Sequence, residues 1–126
     1  MFGETSIFGV CKLSPDNKGR ICLPSFTSVE KDDVLLVIKE ENLLRITKEY
    51  EINELIDELE QKIETETNEE MKEILKSKLY NLYESIVKKC IVDMNKRINL
   101  GELIEKNTTY KAIGARKELL LKKNED

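Results

Sequence analysis

Two arginines, Arg20 and Arg97, occupy the same place in two copies of one short pattern. Asp16-Asn17-Lys18-Gly19-Arg20-Ile21-Cys22-Leu23-Pro24 returns as Asp93-Met94-Asn95-Lys96-Arg97-Ile98-Asn99-Leu100-Gly101, and both copies read Asp-x-x-x-Arg-Ile-x-Leu. A guanidinium can address a phosphate, or the O6 and N7 acceptors of guanine, through two parallel hydrogen bonds; lysines add a less directional attraction for phosphate. Lys12 and Lys18 flank the first arginine, and Lys88, Lys89 and Lys96 flank the second. In a tight turn an aspartate accepts hydrogen bonds from amides two residues on, while a Gly or Asn at the turn's end takes positive φ with little strain. Asp16 with Gly19, and Asp93 with Asn95, are therefore expected to order the two turns. Two such loops on one pseudo-symmetric unit suit a regular polyanion, and duplex DNA is the expected candidate. The plainer alternative is that each aspartate merely fixes a hairpin, its arginine pairing with it or with solvent.

Other chemistries have little to work with. The chain contains no histidine, which removes Ser-His and Cys-His nucleophile pairs and histidine-containing zinc sites. Cys11, Cys22 and Cys90 show no CxxC spacing and are expected to be reduced thiols in or near the core. No phosphate-cradling glycine loop occurs, and isolated carboxylates do not make an acid/base pair without a pocket. The expectation is a protein that is not an enzyme and needs neither cofactor nor metal. No apolar run approaches the roughly 18 residues of a membrane span, and the N-terminus lacks a signal-peptide layout, so a cytoplasmic location is expected.

The net charge of −4 argues at first against a nucleic-acid partner, but it is unevenly spread. Residues 47–84 carry 5 basic and 12 acidic side chains, a net of −7, whereas residues 85–126 carry 10 basic and 6 acidic, a net of +4. Potentials act within about a Debye length, roughly 8–10 Å, so the repeats can be locally basic.

The elements that must position these residues follow from hydrophobic pattern. Residues 7–13 read as a strand, 14–19 as a turn and 20–23 as a short strand; Val34 to Lys39 and Leu43 to Ile46 form a hairpin around Glu40-Glu41-Asn42. Ile52, Leu55, Ile56, Leu59 and Ile63 recur at helical spacing, with Thr47 placed as an N-cap for a helix over about 48–64. Thr67 and Glu70 have capping-box spacing before a second stripe of Met71, Ile74, Leu75, Leu79, Leu82, Tyr83 and Ile86, read as core. Strands at 87–92 and 98–100, a helical turn over about 102–106, and strands at 110–115 and 119–122 complete the second copy. Val34 to Ile38 then aligns with Tyr110 to Gly114, and Leu43 to Ile46 with Leu119 to Lys122. Each copy alone is near the size at which a core becomes marginal, so the two are expected to share one.

The fragment from Lys12 to Pro24 resembles the Asp-x-x-Gly-Arg-hydrophobic-x-Ile-Pro signature of the AbrB/SpoVT swapped-hairpin domain. Duplication of Asp-x-x-x-Arg within one chain, the opening Met-Phe-Gly and the segment from Ala112 to Leu121 resemble the MraZ family of bacterial transcriptional regulators. The second copy departs from that family's pattern in having Lys96 for Gly and Gly101 for Pro. The resemblance implies an α+β, mainly β fold: a double-psi or swapped-hairpin, barrel-like core from two pseudo-symmetric repeats, residues 1–46 and 86–126, with an acidic helical hairpin at 47–85. It further implies a homo-oligomer, ring-shaped in that family, that binds promoter DNA in the nucleoid. Arg20 and Arg97, with Lys12, Lys18, Lys88, Lys89 and Lys96, would be the DNA contacts. The rival expectation is an oligomeric scaffold of the same fold that does not bind DNA and offers its acidic helical hairpin to a protein partner.

Overall fold

The computed structural model describes residues 7–124, with side-chain surroundings from Phe8 onward. Eight strands and two helices make an α+β fold that is mostly antiparallel sheet. In chain order the strands of the first repeat are β1 (Ile7–Leu13), β2 (Arg20–Cys22), β3 (Val34–Glu40) and β4 (Leu43–Lys48). Helices α1 (Glu49–Thr65) and α2 (Glu69–Ser85) follow, then β5 (Ile86–Ile91), β6 (Arg97–Asn99), β7 (Tyr110–Arg116) and β8 (Glu118–Lys123). A single 3-10 turn follows β2 at Ser25–Thr27 and β6 at Gly101–Leu103, the latter shorter than the sequence pattern suggests.

Six strands form an open sheet in the order β1-β7-β8-β4-β3-β5, and β2 pairs with β6 in a separate two-stranded ribbon. The pairing is unchanged when the two repeats are exchanged. β1 lies against β7 as β5 lies against β3, the β3–β4 hairpin matches the β7–β8 hairpin, and β2–β6 and β4–β8 each join one copy to the other. Only the hairpin ladder is internal to each copy; the other four ladders join the two copies.

Register corrects the sequence alignment by one residue. Leu13 pairs with Tyr110 and its counterpart Cys90 pairs with Leu35, which makes Leu35 the equivalent of Tyr110. Val37 then matches Ala112, Leu44 matches Leu119 and Ile46 matches Leu121, and all eight residues are buried. The alignment read from apolar runs set Leu36 against Ala112 and so mixed the two faces, because a one-residue slip in a strand turns every side chain over.

The sheet separates two apolar clusters. On one face Leu35, Val37, Leu44, Ile46, Leu119 and Leu121 pack with Ile21 and Ile98 of the ribbon, while on the other Leu36 and Ile38 pack with Ile52, Ile56, Leu82 and Ile86. The molecule is layered as helices, sheet and ribbon. Leu75 and Leu79 are buried, but Leu55, Met71, Ile74 and Tyr83 are exposed, so the helical stripes are only partly core.

Both expected caps move. Thr47 does not cap α1: it lies within β4, opposite Leu36 and Glu118, and its buried Oγ1 has no hydrogen-bond partner. Lys48 occupies the N-cap position with no side-chain bond. At α2 the cap is Asn68 and not Thr67, its Oδ1 accepting from the Met71 amide at 3.1 Å.

Candidate nucleic-acid interface

Each ribbon strand begins from an ordered turn. Asp16 Oδ1 accepts from the amides of Lys18 (2.9 Å) and Arg20 (2.8 Å), and its Oδ2 accepts from Arg20 Nε at 2.7 Å. Asp93 does the same with the amides of Asn95 (2.9 Å) and Arg97 (2.8 Å) and with Arg97 Nε at 3.1 Å. The Arg20 amide is the largest influence on Asp16, aided by its guanidinium, and the carboxyl is lowered to about 2. The Arg97 amide likewise lowers Asp93.

The left-handed position is filled by Gly19 (φ 80°) in the first turn and by Lys96 (φ 57°) in the second. Asn95 was expected there; it lies one residue earlier and contributes its amide to Asp93. A Cβ on Gly19 would sit 2.8 Å from the Gly101 carbonyl oxygen, so the first turn has no room for a side chain. The two turns clamp each other: the Leu100 amide donates to the Gly19 carbonyl and the Leu23 amide to the Lys96 carbonyl, both at 2.9 Å.

Pairing of β2 with β6 places Arg20 opposite Asn99, Ile21 opposite Ile98 and Cys22 opposite Arg97. Since side chains alternate and directly paired residues share a face, the two isoleucines point into the core and the other four point out. Arg20 and Arg97 are diagonal neighbours on that outer face, roughly 7–8 Å apart by ordinary strand geometry. Each is about three-quarters covered, with side-chain exposures of 29% and 26%, and each is held through Nε alone, leaving Nη groups with no partner among the described residues. An arginine fixed this way presents one edge of its fork outward at little entropic cost.

The lysines divide between two faces. Lys18 and Lys96 lie exposed in the turns beside the ribbon. Lys88 shares the face of buried Cys90, and its Nζ lies 3.5 Å from where a Cβ on Gly101 would be. Lys12 alternates with the core-packed Cys11 and Leu13, and so points from the opposite face of the sheet. Lys89 alternates with Cys90 in the same way and pairs with Glu49 on α1 at 2.9 Å. The structure thus groups Arg20, Arg97, Lys18, Lys96 and Lys88 but separates Lys12 and Lys89 from them, a distinction that the parity of β1 and β5 carries.

All three cysteines are free; Cys90 is buried and Cys11 half-buried, and burial raises both thiols. Cys22 is exposed, contrary to the near-core expectation, because Ile21 takes the inward position of β2. Asn99, on the same outer face as the arginines, is the residue the sequence pattern passed over. Among the described residues no cluster of three or more His, Cys, Asp or Glu side chains could hold a metal, and no helix is long and apolar enough to cross a membrane. The chain matches no family model and no curated protein.

Proposed function

We propose that this chain is a sequence-specific, DNA-binding transcriptional regulator of the double swapped-hairpin type, similar to the MraZ family, that acts as a binding protein in the cytoplasm at the nucleoid. The observation that carries the reading is the outer face of the β2–β6 ribbon, where two arginines from equivalent turns stand side by side, each steadied by its own aspartate. A two-stranded ribbon is narrow enough for the DNA major groove, and the free edges of the guanidinium groups suit guanine O6 and N7 or phosphate oxygens. The acidic helices do not oppose this. They lie on the far side of the six-stranded sheet, two layers or roughly 20 Å from the ribbon, beyond the Debye length of about 8 Å at physiological salt.

Assembly into a homo-oligomer belongs to the same proposal. Phe8 and Val10 on edge strand β1 are 56% and 63% exposed, an apolar surface suited to another copy. The test of function is binding of genomic fragments across a range of salt, for the parent and for the double variant Arg20→Ala, Arg97→Ala. Specific binding should fall by at least about tenfold in the variant. Equal binding by both, or no salt-dependent binding by the parent, would overturn the reading.

One observation favours the alternative of a scaffold that binds protein. A cleft of about 220 Å³ between α1 and β8 is lined by Glu51, Glu54, Glu58, Glu118 and Lys117; Glu51 pairs with Lys117 and Glu118 with Arg45, which leaves Glu54 and Glu58 for a ligand. It suits a basic peptide, and a parent that bound such a peptide and no DNA would establish that reading instead.

A further inference from the structure

We infer that Asn99 breaks the pseudo-symmetry of the ribbon and gives the bound duplex a direction, its Nδ2 amide donating to an acceptor on the base beside the one met by Arg20. The inference rests on the DNA-binding reading above and concerns the half of the element that each strand faces. Exchange of the repeats equates Asn99 with Cys22, so the neighbour of Arg20 across the ribbon is an amide and the neighbour of Arg97 is a thiol. All four side chains share the outer face, and Cys22 and Asn99 are both exposed.

The orientation of the Asn99 amide follows from one bond. Its Oδ1 accepts from the Gly101 amide at 2.8 Å, and because a backbone N–H can only donate, the atom turned toward it must be the oxygen. The Nδ2 end is left for a ligand. Asparagine reads adenine by presenting an acceptor to N6 and a donor to N7 together, but the Gly101 amide takes one of the two lone pairs on the Asn99 oxygen and fixes that oxygen toward its own strand. The wholly unengaged end is a donor beside the donors of Arg20, which suits adjacent acceptor atoms such as guanine O6 and N7 or thymine O4. The other half has no such pair. Cys22 is a weak donor, and Pro24 stands where Gly101 stands and carries no N–H.

Affinity selection from randomised duplexes, with the parent, Asn99→Ala and Cys22→Asn, reads this directly. The parent should enrich an element whose two halves differ. Asn99→Ala should lose base preference at one position, keep the preferences beneath both arginines, and bind the parental element about two- to tenfold more weakly, the loss of one hydrogen bond. Cys22→Asn should gain a preference for adenine in the mirrored half, because Pro24, two residues on, has no N–H to offer and leaves the oxygen of the new amide unengaged. Thermal melting of both variants confirms folding, and the second remains informative even if the first unfolds. A parental element with identical halves, an Asn99→Ala variant that selects the parental element at full affinity, or a Cys22→Asn variant with no new preference would overturn the inference. Each of those leaves DNA binding standing, since that depends on the arginine pair; a parent that enriches nothing overturns both.

Discussion

Ile21 and Ile98 face each other at the centre of the ribbon, and exchange of the two repeats exchanges these two side chains. Both are essentially inaccessible, at 0% and 1%. Their burial holds the ribbon down on the sheet and thereby turns Arg20 and Arg97 outward together. The outer face that carries both arginines is thus a consequence of two buried apolar residues.

The aspartates do two jobs that can be separated. Asp16→Asn keeps an Oδ1 that can accept from the Lys18 and Arg20 amides but gives up the charge that holds Arg20 Nε, whereas Asp16→Ala loses both. Denaturant unfolding should rank stability as parent, then Asn, then Ala, with the larger step at Ala. In fragment binding the Asn variant should already lose specificity, because its arginine is no longer steered. The same order is expected at Asp93.

Acid should act through the same pair. Asp16 is depressed from 3.8 to about 2 in the folded chain, and Asp93 is depressed as well. A group whose folded pKa lies below its unfolded value stabilises the fold above the unfolded pKa, and that contribution is lost as pH falls through the folded one. The contribution of Asp16 should therefore be complete above about pH 4 and disappear toward pH 2. Urea midpoints measured from pH 6 to pH 2 should fall more steeply in the parent than in the double variant Asp16→Asn, Asp93→Asn, where neither group titrates.

At the fourth turn position stability and binding should move in opposite directions. Lys96 holds a left-handed φ of 57°, which costs a side-chain-bearing residue about 1 kcal/mol relative to glycine. Lys96→Gly should raise stability by up to that amount and weaken binding to all duplexes alike, flattening the salt dependence by one phosphate contact. Gly19→Ala should do the reverse for stability, since φ of 80° is added to a contact of 2.8 Å with the Gly101 carbonyl oxygen. Chemical denaturation and fragment titration on the two variants check both signs.

Much of this arrangement was legible in the chain itself. The Asp-x-x-x-Arg repeat located both turns, and apolar alternation located the strands, because those signals are local. The pairing of β2 with β6 is a tertiary event that no local window contains, which is why Asn99 passed unnoticed beside Arg20. Lys12 and Lys89 are a different case: nearness in sequence groups them with the arginines, whereas alternation with Cys11, Leu13 and Cys90 in β1 and β5 puts them on the other face. Thr67 and Asn68 are both good capping residues one position apart, and only the observed turn decides between them. Thr47 was misread for a related reason: it directly precedes a helical stripe, yet the β4–β8 ladder extends through it.

That misreading yields a decisive variant. The buried Thr47 Oγ1 lacks a partner, and an unsatisfied buried hydroxyl costs about 1 kcal/mol or more. Thr47→Val keeps the shape and the β-branch suited to a strand, so stability should rise by about that amount. Were Thr47 the cap of α1, the same change would instead cost about 1 kcal/mol. One pair of denaturation curves separates the two.

The layering predicts how the acidic helices affect binding. Asp57, Glu60 and Glu64 are exposed on α1, on the far side of the sheet from the ribbon, whereas exposed Glu102 follows Gly101 beside the ribbon itself. At physiological ionic strength the Debye length is about 8 Å, so replacing the three helix acids with their amides should change DNA affinity by less than about twofold. Glu102→Gln should tighten binding under the same conditions. Lowering the salt to 0.01 M extends the screening length to about 30 Å, which spans the sheet, and the helix variant should then also bind more tightly than the parent. Titrations of one fragment at the two salt concentrations test the claim. A helix variant that tightened binding equally at both would place the acids against the DNA and contradict the three-layer separation; one with no effect at either would show that the helix charge does not reach the ribbon at all.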